Sequence, residues 1–528
     1  MNSSNKVLSG GRSSLQSTRR YKNKGEWMEQ SRIDWPSFAL CALILVGASI
    51  PLFVFPDVSE AALEALYGFI ANEFGILYLL ASVTAIGFLV WLGFSRYGKA
   101  RLGEPDETPE FREISWVGML FCAGVGAGLL YWCVTEWAFY YAAPPFGAEP
   151  RSVEAQEWAS TYGLFHWGFT AWAFYCLPTI AIAYPYYTKK LDVLRFSVSC
   201  HWFLGDNDHG PLARTIDFLF MIALLGGAAS SLGFSTPMIA ACLAWLFGIE
   251  TGDALEIGVV MLCMFLFALS VWLGLKKGIK RLSDINVLLA FALLLFIFVA
   301  GPTAFLLKTG LNSLGLMADN FLRMNFWTDP FTESGFVESW TIFYWAWWIA
   351  FAPYIGLFVT RISRGRTIRQ VIFGMLVWGS LGSWLFYMIM GNYAMFLELS
   401  GQLDFTGIMR DINGSAAIVG ALEQLPLSSV VIAVFSIISI IFAATTYDSA
   451  SYTLASSATL HLKAGDDPAR WHRVFWAFAL GLMPVALMLL QGNLRPIQVI
   501  LLIVSFPILF VGIAMSVALV KSLRADFE

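Results

Sequence analysis

Four tryptophans fall within nine residues, at Trp340, Trp345, Trp347 and Trp348, inside an otherwise apolar run. An indole is at home at a membrane surface, where its ring stays in apolar surroundings and its N–H reaches water. Trp345, Trp347 and Trp348 instead lie several residues inside the run. On a helix Trp345 and Trp348, three apart, share a face, and Trp347 points elsewhere. An interior face of indoles suits a ligand that is cationic but has no hydrogen-bond donor, because the ring faces attract its charge directly. A second cluster comprises Trp167, Trp172 and Tyr175. On one uninterrupted helix Trp172 and Tyr175 are neighbours, with Trp167 about 140° from the first and about 80° from the second. Either cluster alone reads as ordinary packing; together they supply walls from two helices, as a cage requires.

Two further patterns carry possible chemistry. Thr445, Thr446, Ser449 and Ser451 put a hydroxyl-rich patch into an apolar helix. Such hydroxyls bond back to the preceding turn, or offer uncharged hard oxygens to a releasable Na⁺. Gly124, Gly126 and Gly128 interrupt another apolar run. They fit a small-residue packing face or an unwound segment, which is tolerated at membrane depth only where it lines a cavity or is buried in protein. Broken helices of that kind mark binding sites in transporters built from repeats. Pro353 and Gly356 predict a similar interruption beside the tryptophans.

These residues need a membrane-embedded frame, and the composition provides one. The 528 residues are 58% hydrophobic and 13% charged, with mean hydropathy +0.66; a soluble chain carries about 25% charged residues. Runs long enough to cross the bilayer recur near 35–55, 73–95, 115–143, 158–187, 215–247, 255–275, 285–308, 340–360, 370–396, 428–460, 472–491 and 496–520, which predicts twelve transmembrane helices. Interruptions in the third and eighth spans, five apart, point to a 5+5 arrangement of spans 3–7 and 8–12 behind two extra helices. The basic N-terminal tail, residues 1–34, carries no secretory signal. Lys and Arg then crowd every second loop, with Arg96, Lys99 and Arg101 in one and Arg361, Arg364, Arg366 and Arg369 in another. The positive-inside rule therefore puts both termini in the cytoplasm.

Several classes drop out. The seven cysteines, Cys41, Cys122, Cys133, Cys176, Cys200, Cys242 and Cys263, have no paired spacing, and His201 and His209 match no zinc pattern. An intramembrane enzyme would need a nucleophile–base pair or metal-binding histidines within the spans, and none is found. A channel would need repeated polar pore linings that these spans lack. Nothing points to nucleic acid. Glu136 and Asp448 are expensive in lipid and are expected to face protein or water; His166 is expected to brace the helix of Trp167.

At these residues the chain resembles the betaine/carnitine/choline transporter (BCCT) family. The similarity runs through all twelve spans and is most specific from Trp340 through Trp348 to the Arg361–Thr367 loop. The span 3 glycines, His166 with Trp167, Trp172 with Tyr175, the stretch Lys277–Lys280, and Thr445 with Thr446 agree independently. The resemblance implies an all-α, LeuT-type inverted-repeat transporter in a homotrimer, with a transporter domain over 35–521 and a short tail over 522–528. The repeats would cover about 115–308 and 340–520. It implies a bacterial inner-membrane protein that moves an onium zwitterion such as glycine betaine, carnitine, choline or dimethylsulfoniopropionate, with no cofactor beyond a coupling Na⁺.

By the same resemblance the aromatic box is Trp167, Trp172, Tyr175 and Trp348, with Trp345, Tyr131, Phe351, Gly124 and Gly126 also at the substrate. Na⁺ would lie on the carbonyls of Cys122, Val125 and Phe442 and the hydroxyls of Thr445 and Thr446. The carnitine antiporter branch has an apolar residue at the Thr445 position, so keeping both threonines favours Na⁺ symport over Na⁺-independent exchange. Lys280 pulls the other way, since that branch carries an ion-replacing arginine nearby. Phe351 replaces a further tryptophan of many members, which removes an N–H for the substrate carboxylate. Trp137, following Glu136, resembles the carnitine-transporter branch. The short tails favour nutrient uptake or exchange over osmotic sensing. Residues 311–326 are expected to form an amphipathic helix at the outer surface.

Overall fold

The computed structural model describes residues 33–124, 126–191, 194–205, 210–273, 276–460, 462, 467–488 and 495–528. The elements in order are α1 (Trp35–Val54), α2 (Pro56–Phe94), α3 (Glu113–Ala123), α4 (Ala127–Ala142), α5 (Val153–His166), α6 (Phe169–Thr188), α7 (Pro211–Phe247), α8 (Asp253–Leu273), α9 (Lys276–Ala300) and α10 (Thr303–Phe326). After them come α11 (Phe343–Ile362), α12 (Ile368–Leu399), α13 (Phe405–Asp411), α14 (Gly414–Glu423), α15 (Ser428–Ser457), α16 (Arg470–Met488) and α17 (Arg495–Phe527). No strand occurs among the described residues, only two isolated bridges.

Among the described residues eight stretches, in α1, α2, α7, α9, α11, α12, α15 and α17, are long and apolar enough to cross a membrane, and α3 with α4 makes a ninth as a bent pair. The other three expected positions also hold helices. Of these, α5 and α6 are separated by a break, and α6 carries one Trp and four Tyr and contains Pro178 and Pro185, which lowers its hydropathy. The other two, α8 and α16, adjoin residues outside those described.

The break between α3 and α4 turns the chain by 61°. Gly124 is still helical, at φ −89°, whereas Gly126 is fully extended, at φ −153° and ψ 178°. The glycines divide between the two expected roles. A Cβ on Gly124 would come within 2.9 Å of the Trp172 ring, and one on Gly128 within 3.0 Å of Ser231 Oγ. Both are therefore packing glycines, while Gly126 has open space around it and sits at the unwound point.

Two expectations need correction. Residues 158–187 do not form one helix: α5 ends at His166, and Trp167 and Gly168 leave helical geometry before α6 begins. The angular arithmetic for Trp167 against Trp172 therefore does not apply. Conversely, α11 runs unbroken through Pro353 and Gly356, and its irregularity is a π-helical turn upstream, Val337–Ile342. Gly356 instead lets α11 approach the backbone of Pro178 and Thr179 in α6. There Thr360 Oγ1 donates to the Thr179 carbonyl at 3.2 Å, a bond that ties the two helices together. With no break in α11, two matching interruptions no longer support the repeat spacing.

Two more π turns, Met375–Gly379 and Tyr387–Gly391, lie within α12. Each shifts the helix face, as such turns do at functional sites. Amphipathic α10 packs Leu306, Gly310, Ser313 and Met317 inward and leaves Leu307, Leu311, Leu322 and Phe326 exposed. The helix begins earlier than residue 311, at Thr303.

The end of the bundle where α3 starts and α11 finishes is held by backbone pairing. Leu102 N–H donates to the Arg366 carbonyl at 2.8 Å, Gly365 N–H to Leu102 at 2.7 Å and Ile368 N–H to Ala100 at 2.9 Å. Gly365, at φ 78°, makes the turn this needs. Arg366, 2% exposed, lies 4.0 Å above the Trp116 ring of α3, and Trp116 Nε1 donates to Ser363 Oγ at 3.1 Å. Arg364 pairs with Glu107 at 2.6 Å and Lys190 with Glu104 at 2.7 Å, which holds the Glu104 carboxyl below its usual range. The expected 522–528 tail is in fact the end of α17: Asp526 accepts from Lys189 at 2.7 Å and from Tyr184 at 2.9 Å.

Candidate functional site

A cavity of about 590 Å³ opens beside the α3–α4 break, within the size range of small-ligand sites. The α5–α6 break places Trp167 on its wall, the first turns of α6 add Trp172 and Tyr175, and α11 adds Trp347, Trp348 and Phe351. The rings meet in perpendicular pairs: Trp167 and Trp348 with centroids 4.7 Å apart at 72°, Trp172 and Tyr175 at 5.5 Å and 89°, Tyr175 and Trp348 at 5.9 Å and 77°. These edge-to-face contacts set neighbouring ring planes at steep angles, so the walls form a corner. Trp348 Nε1 donates to the His166 carbonyl at 2.8 Å, which ties α11 to the α5–α6 break.

The structure brings together all four residues of the expected box. Phe351, Gly124 and Gly126 line the same cavity. Trp345 does not. Its ring packs against Phe165, His166 and Phe174 and is fully buried away from the cavity. Trp347 takes the place expected of it, stacked on Trp348 at 5.3 Å and 12°. The signal was available: Trp347, Phe351, Tyr354, Ile355 and Phe358 recur at helical spacing and all line the cavity.

Tyr131 also lies elsewhere. It stacks on Phe234 at 5.5 Å and lines a second cavity of about 820 Å³ with Phe139, Trp340, Arg151 and Arg410. Along α4 and α11 the two cavities occupy opposite ends. The first uses the start of the broken pair and the later turns of α11; the second uses the end of α4 and Trp340. Between them lies a layer of rings: Trp132 to Phe234 at 4.9 Å and Phe234 to Trp347 at 5.9 Å.

Of the expected Na⁺ ligands, Cys122, Phe442, Thr445 and Thr446 border the first cavity, and Val125 lies outside the described residues. The hydroxyls of Thr445 and Thr446 both donate to the Phe442 carbonyl, at 3.0 and 2.8 Å. That is the back-bonded arrangement, and it groups three oxygens of neutral donors at one spot. Ser231, Ser383, Ser449 and the carboxylate of Asp284 share this cavity. Asp284 was missed because it sits at the start of a span, where an acid reads as a solvated end. Asp448 does not turn to the threonines but pairs with Arg473 at 2.6 Å. Lys280's side chain is outside those described. No group of three or more His, Cys, Asp or Glu suited to a metal occurs among the described residues.

The strongest polar concentration is behind the box. Glu136, fully buried, accepts hydrogen bonds from Tyr140 at 2.6 Å, Trp167 Nε1 at 3.1 Å, Tyr344 at 2.6 Å and Tyr387. His166 lies between Tyr140 and Thr341, at 2.9 and 3.2 Å. Its ring also stacks on Tyr344 at 4.7 Å.

Comparison with known proteins is consistent with this architecture. The model of the "BCCT, betaine/carnitine/choline family transporter" family matches residues 36–528. The chain is 34% identical over 443 residues to "Uncharacterized transporter YeaV" of Escherichia coli strain K12, covering 84% of this chain and 92% of that protein. It is 34% identical over 449 residues to a "Carnitine transporter" of Acinetobacter baumannii, covering 85% of this chain and 81% of the relative.

Proposed function

Because the chain belongs to the betaine/carnitine/choline transporter family, we propose that it carries an onium zwitterion across the membrane in symport with Na⁺, by alternating access. It is a multi-pass membrane transporter of betaine-, carnitine- or choline-type substrates, not an enzyme. The finer reading rests on one observation: Trp167, Trp172, Tyr175 and Trp348 wall a cavity that also reaches Phe442, Thr445 and Thr446.

A methylated ammonium or sulfonium has no N–H, so recognition falls to ring faces, each worth about 0.5–2 kcal/mol once desolvated. Ring faces from two helices, α6 and α11, converge here with that of Trp167 at the break. The substrate's carboxylate or hydroxyl would find backbone N–H at the start of α4 and the hydroxyls of Ser231 and Ser383. Na⁺ would be held by Thr445, Thr446 and the carbonyls of Phe442 and Cys122. Uncharged oxygens bind it weakly enough to let it go, which a cycling transporter needs.

In this reading twelve helices form the LeuT-type 5+5 repeat, three copies assemble, and both termini are cytoplasmic. The first cavity lies at the end carrying Arg361, Arg364 and Arg366, so the positive-inside rule makes it the cytoplasmic one. The conformation is then open inward, with the Trp132–Phe234–Trp347 layer closing the outer side.

The test is uptake into liposomes of labelled glycine betaine, carnitine, choline and dimethylsulfoniopropionate, with and without a Na⁺ gradient. Uptake that depends on Na⁺ supports symport. Uptake driven only by counter-substrate inside makes the protein an exchanger. Trp348→Leu is expected to abolish binding. Thr446→Val, losing one hydroxyl worth about 1 kcal/mol, is expected to raise the Na⁺ needed for half-maximal uptake about fivefold. Unchanged uptake in both variants removes the site assignment.

A further inference from the structure

The cluster behind the box has a role of its own, which rests on the onium reading above. Glu136 has no lysine or arginine in ion-pair reach among the described residues; the single basic neighbour recorded is His166, 3.4 Å from Oε1. Besides His166, four groups donate hydrogen bonds to it, three phenols and one indole. An ionised carboxylate accepts about four such bonds and donates none, so the surroundings match the charged form. Protein dipoles surround the carboxyl group, and among the described residues no lysine or arginine pairs with it.

Three of these partners are part of the box or its backing, whereas Tyr140 packs away from it on Tyr162 and Trp340. Trp167 is a wall; Tyr344 stacks on Trp348 at 5.7 Å and 24°, and Tyr387 lies 5.9 Å from Trp167. The carboxylate therefore sits one indole away from the place a cation would occupy. A hydrogen bond from the Trp167 N–H to a carboxylate fixes the ring's tilt. It also pushes electron density toward the ring face, which strengthens attraction for a cation there.

We propose that Glu136 is the counter-charge of the aromatic box, a positioning and specificity-determining residue that acts through Trp167 to favour a positive head group over a neutral one of the same shape. The distinction from a scaffold is measurable. A buried strut affects every ligand of a given shape, whereas a counter-charge affects only the cationic one.

The experiment measures tryptophan-fluorescence binding of onium compounds and their carbon isosteres to the purified full-length protein. The pairs are glycine betaine with the tert-butylacetate anion, choline with neohexanol, and carnitine with its tert-butyl analogue. If the wild type does not prefer the onium member of any pair, the reading of the box fails before Glu136 is tested. Given a wild-type preference, Glu136→Gln keeps the shape and is expected to lower it about tenfold, about 1.4 kcal/mol, with isostere affinity held within about threefold. Glu136→Asp keeps the charge and moves it, so both ligands weaken while the preference survives. Trp167→Phe keeps a ring but loses the N–H, and is expected to lower the preference as Glu136→Gln does. Adding Glu136→Gln to it should then lower the preference little further. If Glu136→Gln preserves the wild-type preference, or weakens both members equally, the proposal is overturned. Should that variant not fold, Trp167→Phe with an unchanged preference overturns it alone.

Discussion

Trp345 and Trp347 are two residues apart and have opposite surroundings. Trp345 is a packing residue, enclosed by Phe165, His166 and Phe174, whereas Trp347 borders the cavity and stacks on Trp348. Replacing Trp347 by Leu is therefore expected to weaken substrate binding by about tenfold, the worth of one ring face. Trp345→Phe should leave affinity unchanged and lower only the melting temperature, because it opens a void in a close-packed interior. Parallel binding titrations and thermal melts check this; equal losses of affinity would place both rings at the ligand. At this scale the sequence showed which residue types were unusual for a membrane interior. It could not orient them, because a face is defined by what packs on it. The spacing 345/348 and the spacing 347/351/354/358 are both helical, and α6 selected between them.

At the scale of elements, the broken pair α3–α4 borders the one cavity that holds both the aromatic box and the Thr445 and Thr446 hydroxyls. Its outer flank is fixed by the glycine packing at Trp172 and Ser231, and its start by Trp116 beneath Arg366. Arg366 also donates to the Phe111 carbonyl at 3.1 Å. Removing a buried guanidinium that stacks and bonds in this way costs about 1–3 kcal/mol. Arg366→Leu is expected to release residues 100–111, seen as faster limited proteolysis in that stretch. Arg364→Gln should do far less, since its half-exposed pair with Glu107 is worth about 1 kcal/mol or less. Comparable proteolysis of the two variants would refute this role for Arg366. The glycines announced a break near residue 125 because glycine is the residue that tolerates one. The break at Trp167–Gly168 went unread since a lone glycine is common in helices, and Pro353 misled because a proline in a membrane helix can be absorbed by its neighbours.

Across the whole molecule two cavities face opposite ends, with aromatic rings between them. The seven cysteines are free, and all but Cys122 are buried, so a cysteine-free background is a practical starting point. On it, Ser115→Cys is expected to react with a membrane-impermeant maleimide only from the cytoplasmic side, and Ile412→Cys, which lines the second cavity and is 66% exposed, only from outside. Labelling of both from one side would overturn the orientation. The amino-acid order alone determined the class of molecule, because apolar run length and the placement of Lys and Arg act residue by residue against a fixed bilayer thickness and charge asymmetry. It also supplied Trp167, Trp172, Tyr175, Trp348, Thr445 and Thr446 as candidates, since their chemistry is out of place in lipid. The tertiary structure decided which rings share a hollow, that the two threonine hydroxyls turn to the Phe442 carbonyl, and that Glu136 gathers donors from α4, α11, α12 and the α5–α6 break. Those outcomes depend on helix crossings and on where the backbone leaves helical geometry. Both come from contacts between segments hundreds of residues apart, which no local spacing encodes.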